Sequence, residues 1–422
     1  MLSRIAQTCV MATIAIVATG CGSTVSGTET AGEIDVRTLD VAKYPVEPID
    51  TIYEFTPSMR TAQLLAANRL ASSMALGTDI DTDFKYGAGS PLTSPSTATL
   101  YLSKATRDVL KDNKMLFGWA SGSTDQSDYA ITSNRAGDHS IGESQRERLK
   151  PRYSGITVLQ FADEETAQRV AKDMSAADFA VAADQNQAVA LPNYSSAASH
   201  RRPGVPTLGS TLAHGRYVIY IHVGVRDDDV TQLITLAEKT YRTQISLLDK
   251  LPALSPADML RLPPDPDGML RRALNPKANF AQIEDEYFTV DKVGFYQLNR
   301  EQQLNEALYS ETGADRFTRS WGTELVRTRD DVAAETFRDK AIAVFVPSSE
   351  VADSPPQLPD TKCAKNTDPR LNDKFVDTGE RKRFLCAVQY RRYVAVVEAD
   401  QIQDAHQRAA AQYALLANSQ IQ

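Results

Sequence analysis

The 422-residue sequence is poor in the side chains that most often carry chemistry, with four cysteines, five histidines and two tryptophans. His139, His200, His214, His222 and His406 include no i, i+4 pair and no HExxH, so a helical zinc site is excluded. There is no G-x-S-x-G elbow; Ser103-Lys104 and Ser121 in Gly118-Trp-Ala-Ser-Gly122 are the nearest approaches to a serine-hydrolase motif. A scattered triad has no sequence signature, because its members are recognised by geometry. Asp79-Ile-Asp-Thr-Asp83 begins like a calcium loop, but Phe84 stands where glycine is needed and Ser90 where the bidentate glutamate belongs. Basic charge is in deficit, 46 Lys and Arg against 54 Asp and Glu, which argues against a nucleic-acid backbone as partner. No catalytic residue, cofactor or metal is therefore assigned. What remains is a body of ordinary globular composition, 42% hydrophobic and 24% charged, long enough for two or three domains.

The first twenty residues do not read as part of that body. Arg4 precedes Val10-Met-Ala-Thr-Ile-Ala-Ile-Val-Ala18, an apolar run too short to span a bilayer, and the pair reads as a signal peptide over 1–20. Ala18-Thr19-Gly20-Cys21, followed by a Gly/Ser/Thr stretch, resembles a bacterial lipobox. That resemblance implies cleavage before Cys21 and a lipid on its sulfur; the alternative is an ordinary signal with Cys21 incidental. Cys9 leaves with the signal, and Cys363 and Cys386 remain as an even pair in an exported chain, which reads as one disulfide. A redox-active or metal-binding pair is the alternative, but neither CxxC spacing nor accompanying histidines support it.

Residues 21–40 read as a flexible lipid-anchored tether, 41–250 as an N-terminal domain, 251–275 as a Pro-rich linker and 276–422 as a C-terminal domain. Helices are expected over 58–76 and 103–113, a strand at Met115–Trp119 and a polar loop over 120–150 with a short strand at 129–132. Then come a strand at Gly155–Phe161, a helix from Asp163 to Phe179, a polar loop carrying His200-Arg-Arg202, a hairpin turning at Gly215 and a helix opened by Asp227-Asp-Asp229. His214 and His222 read as ordinary polar positions on a half-exposed sheet; the alternative is that they face each other across that hairpin. The order recurs: strand Thr323–Val326, helix Asp330 to Phe337, strand Ala341–Val346, a Pro-rich loop with Cys363, the basic loop Arg381-Lys-Arg383, hairpin Phe384–Val397 and helix Asp404–Ala417. An offset of 166 aligns Thr157 with Thr323 and Leu159 with Leu325, and an offset of 176 aligns Arg216-Tyr-Val218 with Arg392-Tyr-Val394. The expected class is α+β: two related modules, each a mostly antiparallel sheet packed by helices, from an internal duplication. Chance similarity between two α+β stretches is the alternative.

With the lipobox, Tyr44-Pro-Val-Glu-Pro48, Asn68-Arg-Leu-Ala71, Asp267-Gly-Met-Leu-Arg271 and Gly313-Ala-Asp-Arg316 resemble the uncharacterised two-domain lipoproteins of actinobacterial, mycolic-acid-type envelopes. Residues 320–418 are more distantly similar to the extracellular sensor domain of mycobacterial receptor kinases, which usually carries two disulfides where this chain can form one. The resemblance implies a protein anchored on the outer face of the cell membrane. The function expected is non-enzymatic binding of an envelope lipid, glycan or protein partner through a cleft between the modules. An envelope hydrolase with a dispersed site is the alternative.

Overall fold

The computed structural model describes residues 34–49, 55–126, 150–276, 287–299, 301, 303, 305–368 and 382–419. The signal peptide, Cys21, His139, Arg381 and the strand expected at 129–132 lie outside them. Two seven-stranded sheets organise the described chain. The first holds β1 (Tyr86–Leu92), β2 (Phe117–Thr124), β3 (Tyr153–Gln160), β4 (Gln187–Val189), β5 (Ala198–Arg201), β6 (Thr207–His214) and β7 (Tyr217–Gly224). The second holds β8 (Tyr287–Asp291), β9 (Arg316–Ser320), β10 (Thr323–Arg327), β11 (Ser349–Ala352), β12 (Lys362–Asn366), β13 (Phe384–Tyr390) and β14 (Tyr393–Ala399). Helices of seven or more residues are α1 (Met59–Ala71), α2 (Glu164–Ala180), α3 (Val230–Leu248), α4 (Lys292–Leu298), α5 (Glu306–Thr312), α6 (Asp331–Phe345) and α7 (Ile402–Asn418).

The sheets run 1-2-3-7-6-5-4 and 8-9-10-14-13-12-11, antiparallel throughout, so each strand of the first answers to the strand seven places later. The α+β class and the duplicated two-module layout are therefore present in the topology itself. Register sharpens the repeat. Gln160 pairs with Tyr217 and Arg327 with Tyr393, while Asp163 and Asp330 both cap the following helix. These equivalences fix an offset of 167 rather than 166 in this stretch. At 167 the buried positions of α2, Ala167, Val170, Ala171 and Met174, fall on Ala334, Phe337, Arg338 and Ala341 of α6. A one-residue slip turns the wrong side of a strand to the core, so the buried face is the better guide to register.

An antiparallel sheet can leave one face to water, but here both are covered. In the first module α2 packs over Leu159, Phe161 and Val218, and α1 with α3 pack over Val158, Ile219 and Ile221. That is why every residue of β2 is buried and why Trp119 is fully enclosed. In the second module α6 sets Phe337 against Phe317, Val326, Leu385 and Val394. Truncating Phe337 to alanine would cost about 3–5 kcal/mol through the cavity left behind. The strand expected at Ala341–Val346 is instead the end of α6. Its short apolar run does not distinguish strand from helix, and Ala334, Phe337 and Ala341 keep helical spacing up to the stop before Pro347. Cys363, expected in a loop, lies in β12.

Two buried glutamines repeat one device. Gln244 of α3 donates from Nε2 to Ser73 O at 2.8 Å and accepts from Ala75 N at 3.0 Å. Gln412 of α7 donates to Arg272 O at 2.7 Å and accepts from Leu274 N at 2.7 Å. Each amide thus completes a two-bond ladder with a backbone segment that belongs to no sheet, where unmatched groups would be costly.

Residues 36–40, expected in the flexible tether, and 41–48, expected in the N-terminal domain, pack instead on the C-terminal module. Val36–Thr38 form a 3-10 turn, Leu39 is buried, and Tyr44 packs with Leu274, Ala411 and Leu415 on α7. Tyr44 Oη donates to Asp404 at 2.5 Å, Gln407 donates to Asp40 at 3.0 Å and Asn418 to Val46 O at 2.8 Å. Residues 36–48 are a strap along the last helix of the C-terminal module.

Candidate functional site

The strap borders an open concavity of about 540 Å³ at the first turn of α7, lined by Lys382, Asp400, Gln401, Asp404, Gln407 and Arg408 among others. A structural asymmetry creates it. Of the five helices longer than twelve residues among the described residues, α1, α2, α3 and α6 are capped by Ser58, Asp163, Asp229 and Asp330, whose side chains accept first-turn N–H bonds. Helix α7 starts at Gln401, whose side chain makes no cap bond. The first N–H groups of a helix have no intrahelical partner and carry the positive end of its dipole. Beside this start, Lys382 pairs with Asp400 at 3.3 Å and Arg408 with Asp404 at 3.2 Å. Arg408 also donates to Tyr44 Oη at 3.1 Å and sits over its ring, 5.2 Å from the centroid. Burial, then the bond to Asp404, push the Tyr44 hydroxyl pKa up, so it stays a donor at neutral pH. Among the described residues, the lining holds glutamine amides, two carboxylates and two cations. It can form many hydrogen bonds, and its two carboxylates, Asp400 and Asp404, are of the type that serves as acid, base or nucleophile in glycoside hydrolysis.

At the junction expected to hold a cleft, Gln297 of α4 is fully buried, donating to Met74 O at 3.1 Å and Ala75 O at 3.3 Å and accepting from Ser121 Oγ at 2.6 Å. A Cβ on Gly89 would lie 2.6 Å from Trp119 Nε1 and 2.9 Å from Gln297 O, so only glycine fits there. This part of the junction is filled by protein. Ser121 is a structural donor within it.

The histidines separate. His214 and His222 do not face each other, since they pair with Tyr217 and Gly209. His214 Nε2 lies 2.8 Å from Asp249, and His222 Nδ1 lies 3.3 Å from Tyr153 Oη. His200 Nε2 is 3.7 Å from Asp178, whose carboxyl is pushed up by burial against the lowering effects of His200 and the Ser103 hydroxyl. Ser103 therefore bonds the acid rather than the imidazole, which is the wrong order for activating a serine. Asp81 and Asp83 pair with Arg152, and Asp79 accepts from Leu76 N, so the acids of the calcium-like run serve a turn. Arg201 pairs with Asp228. Cys363 and Cys386 sit opposite each other on β12 and β13 as a disulfide. Sequence spacing could not show that His406, twenty residues beyond Cys386, brings a ring nitrogen within 4.8 Å of both sulfurs.

Residues 53–264 match the N-terminal part, and residues 269–419 the C-terminal part, of a domain of unknown function, DUF7373. The chain belongs to this two-part family. No curated protein matches it.

Proposed function

We propose, on the premise of this two-part family, that the protein is an exported envelope lipoprotein which binds a polyhydroxylated ligand, a glycan, without turning it over. The observation that carries the reading is the uncapped start of α7 inside a polar, charge-balanced groove. A sugar hydroxyl both accepts and donates. It can accept from the first-turn N–H groups, Lys382 or Arg408 and donate to Asp400, Asp404 or a glutamine carbonyl. An acyl chain would meet no apolar wall there. Anchorage through Cys21 on the outer face of the membrane of an actinobacterial, mycolic-acid-type envelope is the reading supported by the lipobox-like run and the motif resemblance. Similarity of residues 320–418 to a sensor domain supports recognition by this module.

Titration of the purified protein with envelope glycan fragments and with phospholipid vesicles, read by calorimetry, tests the ligand class. Glycan binding weakened at least tenfold by Asp400→Ala with Gln403→Ala, and little affected by His200→Ala, is expected. Tighter binding of vesicles, or turnover of the glycan at high purity, would sink the reading. Separately, Cys21→Ala should move the protein from the membrane fraction to the soluble fraction, and continued membrane association would remove the anchor.

A further inference from the structure

Cys363 and Cys386 face each other directly across β12 and β13, both buried, and His406 reaches them from the second turn of α7. His406 Nε2 lies 2.7 Å from Asp353 O. A carbonyl only accepts, so Nε2 carries the hydrogen, and in the neutral ring the lone pair is on Nδ1. Fixing a ring by an N–H bond to a backbone carbonyl is the usual outer support of a metal-bound histidine.

The first module shows that the fold does not require the covalent link. Ser210 and Cys386 hold equivalent places in β6 and β13, and their partners Ser199 and Cys363 are equivalent in β5 and β12. The serine hydroxyls hydrogen-bond at 2.6 Å, and Ser210 also receives Tyr241 Oη at 2.9 Å. With Gln244 matched to Gln412, His406 stands where the first module has Glu238. Two sulfurs and an imidazole are thus particular to the second module.

We propose that the dithiol form of this pair, with His406, is a binding site for a soft d10 cation, zinc(II) or copper(I). A dithiol reductant opens it by exchange: its thiolate displaces one cysteine sulfur, a mixed disulfide forms, and the second reductant sulfur closes on the first. Two electrons pass to the cystine, two protons end on the freed sulfurs, and the reductant leaves as its own disulfide. The cation then takes the place of those two protons, bound by two thiolates and one neutral nitrogen. Thiolate and imidazole donors suit these ions over magnesium or calcium. Three protein ligands leave a position for water on zinc, whereas copper(I) is satisfied by three.

The test uses the full chain, reduced with a phosphine that does not bind metal, loaded with zinc(II) or with copper(I) under anaerobic conditions, desalted and assayed for metal. About one equivalent on the reduced chain, none on the oxidised chain, and at least tenfold weaker retention by His406→Ala are expected. The two loading arms identify the ion. Cobalt(II) loading should show thiolate-to-metal charge-transfer absorption that Cys363→Ser abolishes. Equal metal on reduced and oxidised chains, or retention unchanged in His406→Ala, overturns the proposal. Near-ultraviolet circular dichroism monitors the fold: a reduced chain that loses its tertiary signal and does not regain it with metal also overturns it.

Discussion

The two modules thread seven strands in one order and set a capped helix after the third strand of each, but they end differently. In the first, Asp229 closes the start of α3 by accepting from Thr231 and Gln232. In the second, Gln401 leaves the start of α7 open. The first holds Ser199 against Ser210 through hydroxyls, and the second joins Cys363 to Cys386. The strap also packs on α7. Duplicated architecture therefore sets the scaffold, and the departures gather around the first turn of one helix. Parts that match in both copies serve stability, whereas parts present in one copy are where a ligand or an ion is to be sought.

The shared parts should break alike. Gln244→Ala and Gln412→Ala each strand a buried N–H and a buried carbonyl, at about 1–3 kcal/mol per group. Denaturant unfolding should show both variants destabilised by about 4 kcal/mol, and a large effect in only one would mean that the device is not truly repeated. The unshared link should break less. Cys363→Ser with Cys386→Ser gives the second module the first module's chemistry, and the chain-entropy model predicts a loss of about 3 kcal/mol. Retained near-ultraviolet circular dichroism in that variant would sharpen the equivalence of the two pairs.

Turn chemistry comes next in size. Gly215 and Arg391 occupy the same place in the β6–β7 and β13–β14 turns, with φ of 52° and 47°. A left-handed residue other than glycine costs about 1–2 kcal/mol, so Arg391→Gly should raise the melting temperature slightly while Gly215→Arg lowers it. The smallest expected effect is electrostatic. Where the first module has Gln160 bound to Leu254, the second sets Arg327 on Asp315, at 2.8 and 2.6 Å. Burial raises the Asp315 pKa, but the Arg327 bonds and charge outweigh it and hold the carboxyl below 3.8. A depressed folded pKa gives stability that is complete above 3.8 and fades as pH falls through the folded value. Asp315→Asn should lower the melting temperature at pH 7 and lose that effect in acid, with a modest size because the carboxylate is half exposed.

Much of this was legible in sequence because the central strands and long helices carry clear periodicity. The hairpins at Gly215 and Arg391-Arg392, the acidic helix starts and the cysteine pair all announce themselves locally. The complete repeat does not. Residues 125–152 join β2 to β3, whereas Trp321 and Gly322 alone join β9 to β10 in a tight turn with φ of 46° and 85°. The insertion shifts the alignment between the two halves of each module and hides the equivalence of β1 and β2 with β8 and β9. Edge strands such as β4 and β11 are short and half exposed, so they lack a hydrophobic pattern. The candidate site was the least visible part, because Tyr44 meets Arg408 and Asp404 only after the strap has crossed the chain to α7. His406 likewise has no sequence neighbour that reveals it.

The central claim is that recognition depends on the open start of α7, and Gln401→Asp tests it by giving that helix the kind of cap that closes α3. An aspartate cap should stabilise the protein by about 1 kcal/mol while occupying the N–H groups proposed to meet the ligand. Calorimetric titration of this variant with the glycan that binds the wild-type protein should show affinity reduced at least tenfold alongside a raised melting temperature. Unchanged affinity in the capped, more stable protein would contradict the account.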